Sequence, residues 1–358
     1  MWSPQVALDG IAERNAGVLM SDEFAIINEL EELKNAHARA LRRLAKRDAA
    51  QGELVEAVYR AAKDAAAGIR IKPVPEPKPD KRKGKREIAT VQLSDWQLGK
   101  FTESYSIEVA EQRLELLAKK IETIVAIQRK DHPVDDLRIY LTGDLVESDG
   151  NIFPGQAYEV EPGGLYLQIF KGAELLATFV RRMSALFPKI TVRGAIGNHG
   201  RLGRYGDHSP ESNADAMLMN VARQLVGESK RIDWSESYTK GARHWYDTDM
   251  IAGQRVMLVH GDQFRGGLGM PWYGVAKKAQ GWVVSMFPFR YLMFGHWHQP
   301  ARLVLADGKI TTWCSPSLES DNRFANEVVG ASGEPGQWLL FFEAETGEVA
   351  SEYLLRLR

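Results

Sequence analysis

Five short polar blocks follow five apolar, β-prone segments of this chain, and this arrangement constrains the fold more than any other feature of the sequence. The apolar segments are residues 89–93, 137–141, 190–196, 256–259 and 291–294. The polar blocks are Ser94-Asp95-Trp96-Gln97, Gly143-Asp144, Gly197-Asn198-His199, His260-Gly261-Asp262 and Gly295-His296-Trp297-His298. In open α/β sheets, the loops at the carboxyl ends of strands converge to form a site. The pattern therefore predicts that the blocks meet at one edge.

The side chains in these blocks are carboxylates, amides and imidazoles. Brought to one edge, they would form a cluster of oxygen and nitrogen ligands suited to two divalent metal ions. Two metal ions a few ångströms apart can lower the pKa of a water held between them and neutralise charge on a phosphate. The blocks therefore indicate a site for two divalent metal ions.

In order and content, the five blocks resemble those of the calcineurin-like metallophosphoesterase superfamily, which run D-x-H, G-D, G-N-H, H-G and G-H-x-H. The resemblance covers residues 88–317 and departs at Gln97, where the family usually has His. It implies an α/β fold: a two-sheet α/β sandwich flanked by helices. Alternation of strands with helical stretches at 106–130, 164–187, 210–226 and 270–285 fits that expectation. Short strands with Gly turns after Gln299 predict an antiparallel layer.

Carried over residue by residue, the resemblance implies two metal sites that share Asp144. The first metal ion would be bound by Asp95, Gln97, Asp144 and His298. The second would be bound by Asp144, Asn198, His260 and His296. His296 and His298 alternate at the end of a strand, and a period of two places them on one side.

The resemblance also implies catalytic residues next to these ligands. His199 would contact the substrate phosphate and act as general acid or transition-state stabiliser. Arg201 is a natural second phosphate contact. Arg204 and Tyr205 are candidates to clamp or stack on a nucleotide, although an exposed polar loop explains them almost as well. Trp96 and Trp297 are expected to be packing groups.

Gln97 bears on the metal identity. An amide oxygen is a neutral and harder ligand than imidazole, so we expect a weakly held first metal ion. Mn²⁺ is the expected ion, with Mg²⁺, Zn²⁺ or Fe as alternatives. The other interpretation is that Gln97 does not coordinate and that the first site is degenerate.

Three regions are predicted along the chain: residues 1–70 as a helical appendage, 71–87 as a Pro- and Lys-rich linker and 88–358 as the metallophosphoesterase domain. The helical stripe of Ile26, Leu30, Leu33 and Leu44 suggests that residues 1–70 form a homodimer or bind a partner, although a helical hairpin within the chain is also open. The basic run 81–86 is either a solvated hinge or a phosphate-backbone contact delivered near the site, since Asp95 is only a few residues downstream.

Composition narrows the class of protein further. The net charge is −1, so attraction to nucleic acid must come from local patches. The single cysteine, Cys314, excludes an intrachain disulfide, suits a reducing cytosol and is expected to pack in a strand. No segment approaches the ~18 apolar residues of a membrane span, and the N-terminus lacks a secretory signal pattern. These features predict a cytoplasmic protein without a membrane partner, and the layout would suit a phage or bacterial gene.

The substrate is predicted from the second block, which continues to Phe153-Pro154-Gly155-Gln156. It resembles the G-D-x-V-[DE]…[FY]-P-x-Q stretch of the small subunits of archaeal family-D DNA polymerases, which are 3′–5′ exonucleases. SbcD-type nucleases share the block order. The resemblance implies a DNA phosphodiesterase of the exonuclease kind, with DNA as partner. Glu147 without a following Arg-Gly, and Gly200 in place of Glu, disfavour a protein phosphatase.

Two alternatives to a DNA phosphodiesterase remain open. The first is a phosphomonoesterase or a phosphodiesterase of cyclic nucleotides or other small molecules. The second is a non-catalytic assembly subunit that kept the fold with a partly degenerate site.

Overall fold

The computed structural model describes residues 74–149, 152–153, 155–203, 212–234, 245–266, 269–320 and 333–358. Its strands are β1 (Glu87–Leu93), β2 (Val134–Leu141), β3 (Lys189–Gly194), β4 (Ile232–Trp234), β5 (Tyr246–Ile251), β6 (Gln254–Val259), β7 (Tyr291–Phe294), β8 (Ala301–Leu305), β9 (Ile310–Cys314), β10 (Gly336–Glu343) and β11 (Val349–Arg356). Its helices are α1 (Ile107–Gln128), α2 (Gly164–Ser184), α3 (Ala214–Val226) and α4 (Trp272–Ser285), with a 3₁₀ turn at Gln156–Glu159. The helical region predicted for residues 1–70 lies outside the described residues.

The strands form two mixed sheets. The first has the order β11-β10-β1-β2-β3-β4, and the second has the order β5-β6-β7-β9-β8. Strands β1 to β4 are parallel to one another, as are β6, β7 and β9, while β10, β11, β5 and β8 pair antiparallel with their neighbours. The predicted two-sheet α/β sandwich flanked by helices is confirmed.

The parallel register aligns the ends of the strands that carry the polar blocks. Leu93 of β1 lies opposite Leu141 of β2, and Leu141 lies opposite Gly194 of β3. The side-chain amide of Gln92 then links the two sheets, donating a hydrogen bond of 2.9 Å to the carbonyl of Phe294 at the end of β7. The carboxyl ends of strands from both sheets therefore meet at one edge.

The space between the sheets is filled by apolar and aromatic side chains from both of them. This core contains Ile88, Tyr140, Ile251, Val256, Leu258, Tyr291, Met293, Trp313, Leu340 and Phe342. One polar network crosses it: Asp249 of β5 accepts hydrogen bonds from the Tyr140 hydroxyl at 2.8 Å and from the Arg138 guanidinium at 3.1 Å. Because a buried charge is costly unless it is paired, this network fixes how the two sheets are positioned.

Helix termini follow local capping chemistry. Helix α1 begins after Ser106, whose hydroxyl accepts a hydrogen bond from the Val109 amide at 3.2 Å. Helix α3 was expected to begin near Pro210 but begins at Ala214, because the Asn213 side chain caps it by accepting from the Asp215 amide. Among the described residues, no helix has the length and apolar character needed to cross a bilayer.

The basic run 81–86 lies at the amino end of β1. Arg86 pairs with Asp135 near the start of β2 at 2.8 Å, Arg82 pairs with Asp80, and Lys85 lies 3.6 Å from Glu343. The polar blocks follow the other end of the strand, and the 7 residues of β1 span about 23 Å at ~3.3 Å per residue. The run therefore does not lie near the polar blocks, although Asp95 follows it closely in the sequence, because a whole strand separates the two.

Candidate metal centre

The loops that carry the predicted ligands have unusual backbone conformations. Positive φ angles are uncommon for residues other than glycine. They occur here at Asp95 (51°), Gln97 (44°), Asp144 (51°), His296 (68°) and His298 (53°). Backbone strain of this kind persists only where surrounding structure enforces it, and it clusters at functional sites.

Hydrogen bonds between neighbouring loops enforce this conformation. The Asp95 amide donates to the carbonyl of Gly143 at 3.0 Å, and the Gln97 amide donates to the carbonyl of Asp144 at 2.9 Å. Gly197 packs so closely on this loop that a Cβ atom there would overlap the backbone nitrogen and the carboxylate of Asp144. The glycine of the third block is therefore required for the approach of two site loops.

The ligands predicted for the second metal ion converge around His260 Nε2. This atom lies 2.9 Å from Asp144 Oδ2, 3.0 Å from Asn198 Oδ1 and 3.1 Å from His296 Nδ1. The other ring nitrogen, Nδ1, lies 2.8 Å from the carbonyl of Thr142, to which it donates. That hydrogen bond fixes the ring so that Nε2 points into the group.

The electrostatics of this group call for positive charge. Burial alone would lower the pKa of His260, but the nearby carboxylates of Asp144 and Asp95 outweigh burial and raise it to about 10. Burial opposes ionisation of Asp144 as well, yet His260 and His199 hold its pKa well below the usual range. Burial and the neighbouring His260 lower the pKa of His296 to about 4. Either protons or a cation can supply the charge that Asp144 requires.

The ligands predicted for the first metal ion also come together. His298 Nε2 lies 3.3 Å from Asp95 Oδ1, and the Gln97 side-chain amide lies 3.4 Å from the same nitrogen. The Asp95 carboxylate is fixed by the backbone amide of His296, which donates to Oδ1 at 3.0 Å and to Oδ2 at 3.1 Å. The structure thus brings together all seven predicted metal ligands in two adjoining groups.

Behind the first group lies a buried ion pair that the sequence reading missed. Glu319 Oε1 lies 2.9 Å from His298 Nδ1, and its Oε2 lies 2.6 Å from the ammonium of Lys100. Burial would raise the pKa of Glu319, but Lys100 and His298 lower it to about 2. A signal was available: Glu319 follows β9, which is parallel to β7, so the rule applied to five strand ends holds for this one too.

His199 lies beside the second group, oriented by two further residues that were not predicted as site residues. Its Nδ1 lies 3.3 Å from Glu147 Oε2, and its Nε2 lies 3.9 Å from Asp144 Oδ2. The buried side chain of Gln156 donates to the carbonyl of Glu147 at 2.7 Å and to its carboxylate at 2.8 Å. Both residues belong to the stretch 143–156 that the sequence reading singled out.

Asp215 anchors two of the site loops from behind. Its buried carboxylate accepts hydrogen bonds from the backbone amides of Asp144 at 2.9 Å, Leu145 at 2.9 Å and Gly197 at 2.8 Å. No sequence pattern indicated this residue, because its position in the first turn of α3 looks like ordinary helix-terminus chemistry.

The remaining predicted residues have different environments. Arg201 forms an ion pair with Asp262 of the fourth block. Arg204 and Tyr205 lie outside the described residues. Trp96 is fully buried, and Trp297 donates through Nε1 to the carbonyl of Gly261 at 3.2 Å, so both are packing groups as expected.

The chemistry of the donors fits divalent cations. In each group, carboxylate, amide and imidazole atoms face one another at 2.9–3.4 Å, an arrangement in which a cation can take the place of the imidazole protons. Among the described residues, Asp144, His260 and His296 also have donor atoms all within 4.8 Å of one another. Asp95, Gln97 and His298 would hold one ion, and Asn198, His260 and His296 the other, with Asp144 available to both.

Comparisons with known proteins give only distant matches. No family model matches the chain, and no curated protein matches it. Among solved structures, the chain is similar to a conserved uncharacterized protein of Streptococcus pneumoniae described as a predicted phosphoesterase, with 11% identity, coverage of 75% of this chain and 98% of the other, and a TM-score of 0.30.

Two further solved structures have comparable similarity. Vps29 of Entamoeba histolytica in complex with Zn²⁺ is 11% identical, with coverage of 75% of this chain and 99% of that one, and a TM-score of 0.32. The sulfate thiohydrolase SoxB of Thermus thermophilus is 9% identical, with coverage of 78% and 58% and a TM-score of 0.33. Similarity at this level assigns no activity to the chain.

Proposed function

We propose that this protein is a metal-dependent phosphoric ester hydrolase with a dinuclear centre, and that its substrate is a phosphodiester of DNA. The observation that carries the proposal is the convergence of Asp144, Asn198 and His296 on His260 Nε2 within 3.1 Å, beside the second group of Asp95, Gln97 and His298. Carboxylate, amide and imidazole ligands placed this close together are typical of two-metal phosphoesterase sites.

Metal ions bound by these residues would lower the pKa of an attacking water and neutralise charge on the phosphate. The chain supplies the geometry. His260 is fixed by the Thr142 carbonyl, Asp95 by the His296 amide, and Asp144 by the Asp215 carboxylate behind its loop. Ligands held in this way keep their orientation when charge develops on the substrate.

His199 is the proton donor in this proposal. Its Nδ1 faces Glu147, so the other nitrogen, Nε2, is directed to the side of Asp144 where the substrate phosphate would lie. Burial lowers the pKa of His199, but the carboxylates of Asp144 and Glu147 raise it to about 9. These carboxylates favour the imidazolium in the metal-free protein, whereas cations beside Asp144 would oppose it, so the charge of the bound phosphate is needed to keep the proton that His199 delivers to the leaving oxygen.

Arg201 is proposed as a second phosphate contact. Its guanidinium is half-buried beside the metal ligands and is oriented by Asp262. Guanidinium groups bind phosphate oxygens through paired N–H donors, and orientation by a carboxylate reduces the entropy lost on binding.

DNA as the substrate is supported by the stretch that resembles the small subunits of family-D polymerases. This stretch lies at the catalytic histidine: Gln156 contacts Glu147, and the ring of Phe153 lies 6.2 Å from the ring of His199. The basic run 81–86 gives no support, because it lies at the opposite edge of the first sheet. The choice of DNA over other phosphodiesters thus rests on the motif.

The first alternative is hydrolysis of a phosphomonoester or a cyclic nucleotide by the same site. The second is a non-catalytic assembly subunit. The first alternative keeps the full set of metal ligands and the second keeps a partly degenerate one, so substrate turnover distinguishes them better than metal binding does.

The decisive experiment incubates the protein with Mn²⁺ and end-labelled single- and double-stranded DNA, with EDTA and His199→Ala as controls. Metal-dependent shortening that is lost in the variant supports a nuclease, and the product ladder gives the direction of digestion. Activity on p-nitrophenyl phosphate or cyclic nucleotides without DNA cleavage would transfer the proposal to the first alternative. Metal binding without any turnover would favour the assembly subunit.

Dimerisation through residues 1–70 stays a separate proposal, motivated by the apolar stripe in that region. Light scattering on the full chain tests it. A mass of about twice the 40.1 kDa of one chain supports a homodimer, and a mass equal to one chain contradicts it.

A further inference from the structure

The buried ion pair of Lys100 and Glu319 has a position that packing alone does not explain. The two side chains are 1% and 2% exposed, and the Lys100 ammonium lies 2.6 Å from Glu319 Oε2. Charged side chains are rarely buried this completely, and replacing such a pair by apolar groups is often neutral or stabilising. Stability is thus a weak reason for its presence, and its contacts indicate another one.

The Glu319 carboxylate faces two of the predicted ligands of the first metal ion. His298 Nδ1 lies 2.9 Å from Oε1 and donates to it. When the side-chain amide of Gln97 points its nitrogen at the same carboxylate, that nitrogen donates hydrogen bonds of 2.6 Å to Oε2 and 2.9 Å to Oε1. The reverse orientation would place the amide oxygen against the carboxylate, so the hydrogen-bond network selects the first.

These hydrogen bonds decide which atoms of the ligands face the metal position. Because Glu319 holds the amide nitrogen of Gln97, the amide oxygen faces His298 Nε2, which lies 3.4 Å from that end of the amide. With Nδ1 held by the same carboxylate, His298 directs Nε2 to Asp95 Oδ1 at 3.3 Å. The atoms that converge are then an amide oxygen, an imidazole nitrogen and a carboxylate oxygen, all lone-pair donors.

We propose that Glu319 is a positioning residue for the first metal ion, which orients Gln97 and His298 so that Gln97 binds the metal through its amide oxygen. Lys100 balances the charge of Glu319, so that the positioning carboxylate adds no net charge behind the site. This inference rests on the proposed dinuclear centre and deepens it. It also makes Gln97 a functional ligand and the first site a complete one.

The test titrates Mn²⁺ into the protein and measures the two affinities by calorimetry and the metal–metal coupling by electron paramagnetic resonance. Wild type is expected to bind two ions with a coupled spectrum. Glu319→Gln is expected to weaken one ion by about 10- to 100-fold, the usual effect of losing a residue that orients a metal ligand. The other ion, held by Asn198, His260 and His296, is expected to bind as in wild type.

Three further variants make the result specific. His298→Ala shows the binding curve of a protein that lacks the first site, and Glu319→Gln is expected to resemble it. Because Glu319→Gln leaves the Lys100 ammonium buried without a carboxylate, the double variant Lys100→Met/Glu319→Leu removes both charges and is expected to show the same selective loss. Glu343→Gln, at the opposite edge beside Lys85, is the control for a lost carboxylate.

The possible outcomes separate this inference from the proposed function. Two ions bound with unchanged affinities in the Glu319 variants would overturn the positioning role and leave the dinuclear centre intact. Equal weakening of both ions would also overturn it, because a merely structural residue affects the whole site. Fewer than two ions bound by the wild-type protein would overturn both the dinuclear centre and the inference that depends on it.

Discussion

Glu147 Oε2 lies 3.3 Å from Nδ1 of His199, and both side chains are buried. The hydrogen bond from Nδ1 to the backbone carbonyl of Glu147 at 3.1 Å orients the imidazole, and the Glu147 carboxylate, together with Asp144, raises its pKa to about 9 against the effect of burial. The residue that orients the proposed proton donor thus also affects the pH range over which it holds its proton. The pH dependence of the reaction therefore reports on this pair.

The first prediction concerns Glu147→Gln. Removing the carboxylate removes one of the charges that raise the pKa of His199, so the imidazolium loses its proton at lower pH. The alkaline limb of the profile of kcat/KM against pH is expected to move to lower pH. Glu345→Gln, in the exposed turn after β10, is the matched control. An alkaline limb at the wild-type position would exclude His199 as the proton donor oriented by Glu147.

The second prediction is that metal binding releases protons. Burial lowers the pKa of His260 and of His298, but nearby carboxylates outweigh it and raise both to about 10. Both rings are therefore protonated at pH 8 and must lose a proton to bind a metal ion, so affinity rises with pH up to about 10. The number of protons released on metal binding is measured by calorimetry in buffers of different ionisation enthalpy. About two protons are expected for each pair of metal ions bound. Affinity that falls between pH 6 and pH 8 would contradict it.

The third prediction concerns Gln97→His. Imidazole binds zinc better than an amide oxygen does, and Glu319 remains available to accept from the new ring. The affinity of the first site for Zn²⁺ is expected to increase by about tenfold, which corresponds to ~1.4 kcal/mol. Gln112→His, on the exposed face of α1, is the control for an added surface imidazole. Unchanged affinity in a Zn²⁺ titration would count against coordination by residue 97.

The fourth prediction concerns the anchor of the site loops. Asp215→Ala leaves the backbone amides of Asp144, Leu145 and Gly197 without their acceptor. Each unsatisfied buried donor costs about 1–3 kcal/mol, so the free energy of unfolding is expected to fall by about 3 kcal/mol or more. Urea denaturation measures the loss, with the exposed Asp131→Ala as control. A loss below about 1 kcal/mol would mean that the loops hold without this anchor.

The fifth prediction concerns the basic run. Lys81 and Lys83 are exposed before the amino end of β1, and this strand, about 23 Å long, separates them from the metal ligands. This distance exceeds the Debye length of about 8 Å at physiological salt. Replacing both residues by Ala is therefore expected to change kcat/KM for a trinucleotide by about twofold at most. A tenfold fall would show that this run contacts the substrate after all.

Much of the candidate site could be predicted because its residues lie within a few positions of the carboxyl ends of strands. An apolar run followed by Asp, His or Asn marks the carboxyl end of a strand, and the parallel register of Leu93 with Leu141 brings such ends together. The strands, and the convergence of the blocks that follow them, could therefore be predicted from short segments. The helix boundaries were less accurate, as at Ala214, because a single capping side chain decides them.

Sequence alone determined the two-sheet α/β class and the set of seven candidate metal ligands, since both follow from the resemblance that blocks of a few residues carry. Only the tertiary structure decided which side chains orient those ligands. Glu319 lies beside His298 and beside Lys100, which is far from it in the sequence, and Asp215 reaches the loop of Asp144 from a helix terminus.

 These partners are far apart in the sequence and share no periodic spacing. Their contacts depend on the path of each loop, which the packing of the two sheets sets. The same packing placed the basic run at the opposite edge from the site, because a strand separates its two ends by its whole length.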